Sequence, residues 1–167
     1  MRVEPLSAGH RSIRAAFDCG VESLNAYLRQ QAAQDVKRKL AAAFVLVDDA
    51  GTSILGYYTL SSLSISLPEL PAEIARRLPR YPQIPVALLG RLAVSKECHG
   101  QGLGEHLLID ALRRARKASE VVASFAVVVE AKDARAAEFY KRYGFEELRG
   151  QPVRLFLPMK TIEEVLG

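Results

Sequence analysis

The chain is poor in cysteine, with only Cys19 and Cys98 in 167 residues. They stand far apart and show no metal-ligand spacing, which fits a reduced, cytoplasmic protein. Long apolar runs are also missing. Val121–Val129 falls well short of the roughly 20 residues a membrane-spanning helix needs, so no membrane association is expected. The opening Met1-Arg2-Val3-Glu4-Pro5 has no apolar signal core, which argues against export. No low-complexity tract or repeat suggests a solenoid. His10, His99 and His106 are the only histidines, and no cluster of His, Cys and carboxylates suggests a metal site.

What is present is ordinary for a globular protein: 49% apolar and 25% charged residues. The length suits one domain over 1–167 and suffices to bury a real core. The net charge of +4 biases the chain modestly toward polyanions, whether nucleic acid or a phosphorylated cofactor.

Strand and helix patterns alternate. Leu24, Tyr27 and Leu28 mark a helix running toward Lys39, followed by a strand at Ala42–Val47 and a turn at Asp48-Asp49-Ala50-Gly51. The next strand, Ile54–Leu67, ends in alternation: Leu63, Ile65 and Leu67 on one face, Ser62, Ser64 and Ser66 on the other. That serine face would either line a polar cleft or meet solvent. Pro68 and Pro71 open a short basic helix, and Pro79, Pro82 and Pro85 finish an irregular segment. Val86–Val94 reads as a buried central strand. A helix from Gly104 to about Lys117 carries Leu107, Leu108, Ala111, Leu112 and Ala115 as its apolar stripe. A strand at Phe125–Glu130 precedes a helix capped by Asp133, reaching Tyr143 and stopped by Gly144. Strands at Phe145–Leu148 and Arg154–Leu157 close an α/β (α+β) fold, a mixed sheet flanked by helices.

Between the central strand and the helix lies His99-Gly100-Gln101-Gly102-Leu103-Gly104. Glycines let backbone N–H groups crowd around an anion, and the following helix adds its positive end. Such a loop suits phosphate or pyrophosphate. Glu105 stands where a dinucleotide fingerprint needs glycine or alanine, and Glu105-His106 replaces the Lys and Ser/Thr of a nucleoside-triphosphate loop.

Gly90-Arg91-Leu92-Ala93-Val94, this loop, and Ala137-Glu138-Phe139-Tyr140-Lys141-Arg142-Tyr143-Gly144-Phe145 together resemble the GNAT family of N-acetyltransferases. The resemblance covers most of the chain and implies acetyl-CoA as cosubstrate, with no metal. It implies a central strand splayed from its neighbour, with the pantetheine arm against the backbone of Leu92, Ala93 and Val94. The pyrophosphate would rest on the loop from His99 through Gly100, Gln101, Gly102, Leu103 and Gly104. His99 departs from the family's usual Gln or Arg and reads as a loop residue. Tyr140 matches the family tyrosine that protonates the departing thiolate; its spacing with Phe139, Tyr143 and Phe145 equally suits a core aromatic. Cys98, without a paired base, reads as an inert thiol. Glu130 and Asp133 are the available carboxylate bases, Asp133 being more simply a helix cap.

Pro85–Val94, the histidine before the glycines and Arg154-Leu155-Phe156-Leu157-Pro158 resemble one branch, the toxins of toxin–antitoxin pairs that acetylate aminoacyl-tRNA. An α-amine, near 8, loses its proton far more easily than lysine, near 10.4, which suits a site lacking a strong base. Lys37, Arg38, Arg77, Arg80 and Arg91 are the candidate tRNA contacts; complementing a helix dipole is the alternative role for cations at a helix end. No aromatic stacking signature for RNA accompanies them. The branch implies a ribbon-helix-helix antitoxin as partner and leaves a homodimer open. An acetyltransferase for a small amine or a protein N-terminus is the alternative, and a catalytically silent coenzyme- or nucleic-acid-binding module is a third.

Overall fold

The computed structural model describes residues 1–150 and 152–167. In chain order, β1 (Arg2–Pro5), α1 (Arg11–Arg14), α2 (Glu22–Ala26), a π-helical turn (Tyr27–Gln31) and α3 (Ala32–Lys37) precede β2 (Ala42–Val47) and β3 (Ile54–Ile65). Then come α4 (Ala72–Ala75), β4 (Ile84–Val94), α5 (Leu103–Ala118), β5 (Ala126–Glu130), α6 (Ala134–Lys141), β6 (Glu146–Glu147), β7 (Arg154–Pro158) and α7 (Met159–Leu166). The strands form a seven-stranded mixed sheet in the order β1-β2-β3-β4-β5-β7-β6, the α/β class the alternating pattern implies. The chain divides into two compact units, Met1–Ser61 with Gly90–Ala111, and Ser62–Leu89 with Leu112–Gly167.

In the first unit β1, β2 and β3 form an antiparallel meander, with Glu4 opposite Val45 and Val45 opposite Tyr57. Phe17, Leu28, Val45, Val47, Tyr57 and Ala93 share one buried core. Tyr57 packs edge-on to Phe17 with centroids 5.5 Å apart, and its hydroxyl donates to the Leu24 carbonyl at 2.7 Å. An aromatic ring therefore fills the core without stranding a polar atom. Gly56 permits a close approach: a Cβ there would lie 2.7 Å from Leu107 Cδ1 and 2.8 Å from the Ala93 carbonyl oxygen.

In the second unit β4 pairs parallel to β5 over Ala87–Leu89, β5 pairs antiparallel to β7, and β7 to β6. Ala126 through Val129 are fully buried, as a strand covered on both faces requires. Ile65, Ile84, Val86, Val128 and Phe156 belong to its core. Glu69 pairs with Arg154 and also receives the Ser66 N–H at 2.7 Å, fastening the turn after β3 to β7.

Several boundaries differ from the sequence expectations. β3 stops at Ile65 because Ser66 turns to cap a short 3-10 turn with Glu69. Ser62 and Ser64 are exposed, so the serine face meets solvent. β4 begins at Ile84, with Pro85 inside it: proline lacks only the donor, and its carbonyl accepts the Phe125 N–H at 2.8 Å. The helix of the glycine loop spans Leu103–Ala118, one residue further at each end than read. α6 ends at Lys141, where Tyr143 and Gly144 close tighter bonds to the carbonyls of Tyr140 and Lys141, and Gly144 takes φ +93°. Asp133 is its N-cap, accepting the Ala136 N–H at 2.8 Å. β5 starts at Ala126, β6 narrows to Glu146–Glu147, and β7 extends to Pro158. The short β1 and α1, and α7, lacked a readable pattern.

Candidate active site

Gly100 and Gly102 adopt φ +79° and +77°, and a Cβ at either would meet no atom within 4 Å. These glycines are required by backbone conformation, and they face open space. Their left-handed turns bring the chain to α5 with its N–H groups unspent. The first helical bond runs from His106 N–H to the Gly102 carbonyl at 3.1 Å. Among the described residues, the N–H groups of Gly100 through Glu105 donate to no backbone carbonyl. Unpaired amides, a 16-residue helix dipole and an absence of crowding side chains make a cradle for an anion. Gly104 falls inside the first turn of α5 and contributes through its amide.

Two side-chain contacts hold the loop. His99, itself exposed, places Nε2 2.8 Å from the Val94 carbonyl. A carbonyl can only accept, so Nε2 carries the proton and donates. The histidine read as a plain loop residue thus ties the loop to the last residue of β4. Before it, Lys96 is held twice by Asp18: its N–H donates to the Asp18 carbonyl at 2.9 Å, and its ammonium meets the carboxylate at 2.9 Å. That ammonium, then the Gly20 N–H and the Asn25 amide, pull the Asp18 carboxyl down to about 2. Ala93 is buried in the first unit's core, while Leu92 and Val94 are half-buried. Cys98, half-buried, sits in the short turn between these anchors.

Arg91 shares the β4 face of Ala93 by strand alternation, and its guanidinium carbon lies 3.5 Å from the Tyr27 ring centroid. The Tyr27 hydroxyl donates to Asp35 at 2.7 Å, and Gln31 donates to the other carboxylate oxygen at 2.9 Å. Burial, then the bond to Asp35, raises Tyr27 to about 12. On a regular helix, residues eight apart lie about 80° out of line. The π turn absorbs one residue, so Tyr27 and Asp35 align as i and i+7 would. The sequence pattern placed Tyr27 only on an apolar stripe and gave no sign of Asp35, because the irregular turn is invisible to a 3.6 period. Arg91, a candidate tRNA contact in the sequence, is half-buried, with its guanidinium stacked on one face of the Tyr27 ring.

In the second unit Tyr140 is buried, with Phe139 edge-on at 5.1 Å and Phe145 tilted at 5.4 Å between centroids. Burial alone raises its hydroxyl to about 12, so the phenol stays protonated throughout the physiological range. The aromatic packing that its spacing suggests is present. Glu130 is exposed at the end of β5, and Asp133 is spent on its cap. Lys37 and Arg38 at the end of α3, and Arg77 and Arg80 after α4, are exposed. Among the described residues, no group of three or more His, Cys, Asp or Glu side chains could hold a metal ion, and no helix is long and apolar enough to cross a membrane.

Residues 42–147 match the family model of the acetyltransferase (GNAT) domain. The tRNA-acetylating toxin of Mycobacterium tuberculosis (strain ATCC 25618 / H37Rv) is 34% identical, covering 91% of this chain and 89% of its own. Among solved structures, AtaT complexed with acetyl-methionyl-tRNAfMet is similar at 32% identity and TM-score 0.91, covering 99% of each chain. A tyrosine-to-phenylalanine mutant of AtaT, bound to the C-terminus of the antitoxin AtaR and acetyl-CoA, is similar at 30% identity and TM-score 0.82, covering 99% of this chain and 97% of that one. With its open glycine cradle between β4 and α5, this chain belongs to the GNAT acetyltransferase family.

Proposed function

We propose that the protein moves acetyl from acetyl-CoA to the α-amine of aminoacyl-tRNA and thereby acts as a translation-inhibiting toxin. The observation that carries this reading is the end-to-end similarity to AtaT in complex with acetyl-methionyl-tRNAfMet. The donor's thioester supplies the activated acyl group. The amides from Gly100 to Glu105 bind its pyrophosphate, and the Leu92–Val94 backbone holds the pantetheine arm, with His99 keeping the loop in place. The amine nitrogen bonds to the acyl carbon as the C–S bond breaks. The thiolate takes the Tyr140 proton, the amine gives one to solvent, and solvent restores the phenol. Lys37, Arg38, Arg77, Arg80 and Arg91 are the cations assigned to the RNA backbone. The cellular setting of this reading is the cytoplasm, with a ribbon-helix-helix antitoxin as regulatory partner and a homodimer as the assembly to test.

The test is acetyl transfer to charged tRNA against transfer to free amino acids and peptides, over a range of salt. Transfer to charged tRNA should dominate and fall steeply with salt, because each phosphate neutralised adds roughly 0.7–0.9 to the log–log slope. Equal rates on free amines, with no salt dependence, would instead establish a small-amine acetyltransferase.

A further inference from the structure

α3 ends in a Schellman motif. Leu40 N–H donates to the Asp35 carbonyl at 2.9 Å, and Lys39 N–H to the Val36 carbonyl at 3.2 Å. This double closure requires a left-handed residue between helix and strand, and that residue is Lys39, with φ +62°. Among the described residues it is the one non-glycine with positive φ; Gly20, Gly51, Gly100, Gly102, Gly144 and Gly150 supply the others. A lysine has no local hydrogen bond to offset the crowding of its Cβ, unlike asparagine or aspartate. Glycine would make this helix end more stable.

Helix-end electrostatics does not account for the choice. A cation near a helix C-terminus gains from the dipole, but Lys37 and Arg38 already provide two. Lys39 is exposed and, among the described residues, has no ion-pair partner. Asp35, whose carbonyl accepts the closing bond, is the carboxylate that orients Tyr27 beneath Arg91. The end of α3 and Arg91 are therefore built around one residue, in one unit, with Lys37, Arg38, Lys39 and Arg91 outnumbering the single carboxylate. Lysine is depleted in protein–protein interfaces and common on phosphate backbones, so a run of exposed cations favours a polynucleotide.

We propose that Lys39 is a phosphate contact for the RNA acceptor, kept in a left-handed turn where glycine would be more stable. This rests on aminoacyl-tRNA being the acceptor.

The experiment compares the full-length wild type with Lys39→Gly, Lys39→Asn and Lys39→Arg, using thermal melts and tRNA binding by fluorescence anisotropy across salt. Lys39→Gly should raise Tm by roughly 2–4 °C and lower the log–log salt slope by roughly one. Its higher Tm shows that the weaker binding is not damage to the fold. Lys39→Asn should lose the same slope, whereas Lys39→Arg should keep both slope and Tm near wild type. A more stable glycine variant with unchanged slope would overturn the RNA contact. A glycine variant no more stable than wild type would overturn the stability sacrifice. An unchanged slope together with weakened binding of a protein partner would reassign the ridge to that partner. Should the wild type bind no tRNA while acetylating small amines, the acceptor reading itself fails, a result separable from failure at Lys39 alone.

Discussion

The imidazole of His99 donates from Nε2 to the Val94 carbonyl across 2.8 Å, joining the start of the glycine loop to the end of the strand assigned to the pantetheine arm. Removing it frees the loop without touching the cradle amides. A hydrogen bond is worth about 0.5–1.5 kcal/mol net, so His99→Ala should raise the acetyl-CoA Kd about two- to tenfold. His99→Gln, which keeps a donor, should recover part of that loss. Calorimetric titration measures both, and an unchanged Kd for His99→Ala would show that the loop holds its shape alone.

Gly102 separates conformation from charge. Its surroundings have room for a methyl, but φ +77° disfavours any L side chain. Gly102→Ala should weaken coenzyme binding modestly. Gly102→Asp places a carboxylate at the proposed pyrophosphate site and should cost about tenfold or more, since like-charge juxtaposition costs several kcal/mol. Equal affinity for the two folded variants would move the pyrophosphate away from this loop.

Tyr140→Phe keeps the ring between Phe139 and Phe145 and deletes only the hydroxyl. Turnover should fall roughly 10²- to 10⁴-fold with little change in coenzyme Kd. Because burial holds the phenol at about 12, any change in rate between pH 6 and 10 must come from another group. The native state keeps this proton where the unfolded chain, near 10, loses it. Tyr140 therefore stabilises the fold below about pH 10 and loses that contribution as pH rises toward 12. Stopped-flow kinetics at several pH values test the first point, and alkaline melts of wild type and variant the second.

Gly56→Ala should lower stability by about 1–3 kcal/mol, the usual cost of overpacking. The new methyl meets Leu107 on α5 and the backbone oxygen of Ala93, and a backbone atom cannot swing aside as a flexible side chain can. Tm should drop by roughly 2–4 °C for each kcal/mol. Chemical denaturation checks this, and wild-type stability would mean that β3 and α5 separate freely here.

The sequence by itself determined whatever depends on neighbours along the chain. The apolar run of β4 and the stripe of α5 are local patterns read as buried strand and amphipathic helix, and the glycines before α5 as a loop whose amides can surround an anion. Asp133 as a cap was legible for the same reason, the N–H it accepts being three residues away. Element ends were less so: Pro85 sits inside β4 with its carbonyl accepting from Phe125, a partner far along the chain. Tertiary structure alone decided that Tyr27 would stack on Arg91 and bind Asp35, that Gly56 would admit the Ala93 carbonyl, and that Lys39 rather than a glycine would take the left-handed turn. Each of these depends on an irregular turn or on the meeting of remote segments. Residue spacing records the regular helix and strand periods, and it carries no trace of contacts that arise only when the chain departs from them.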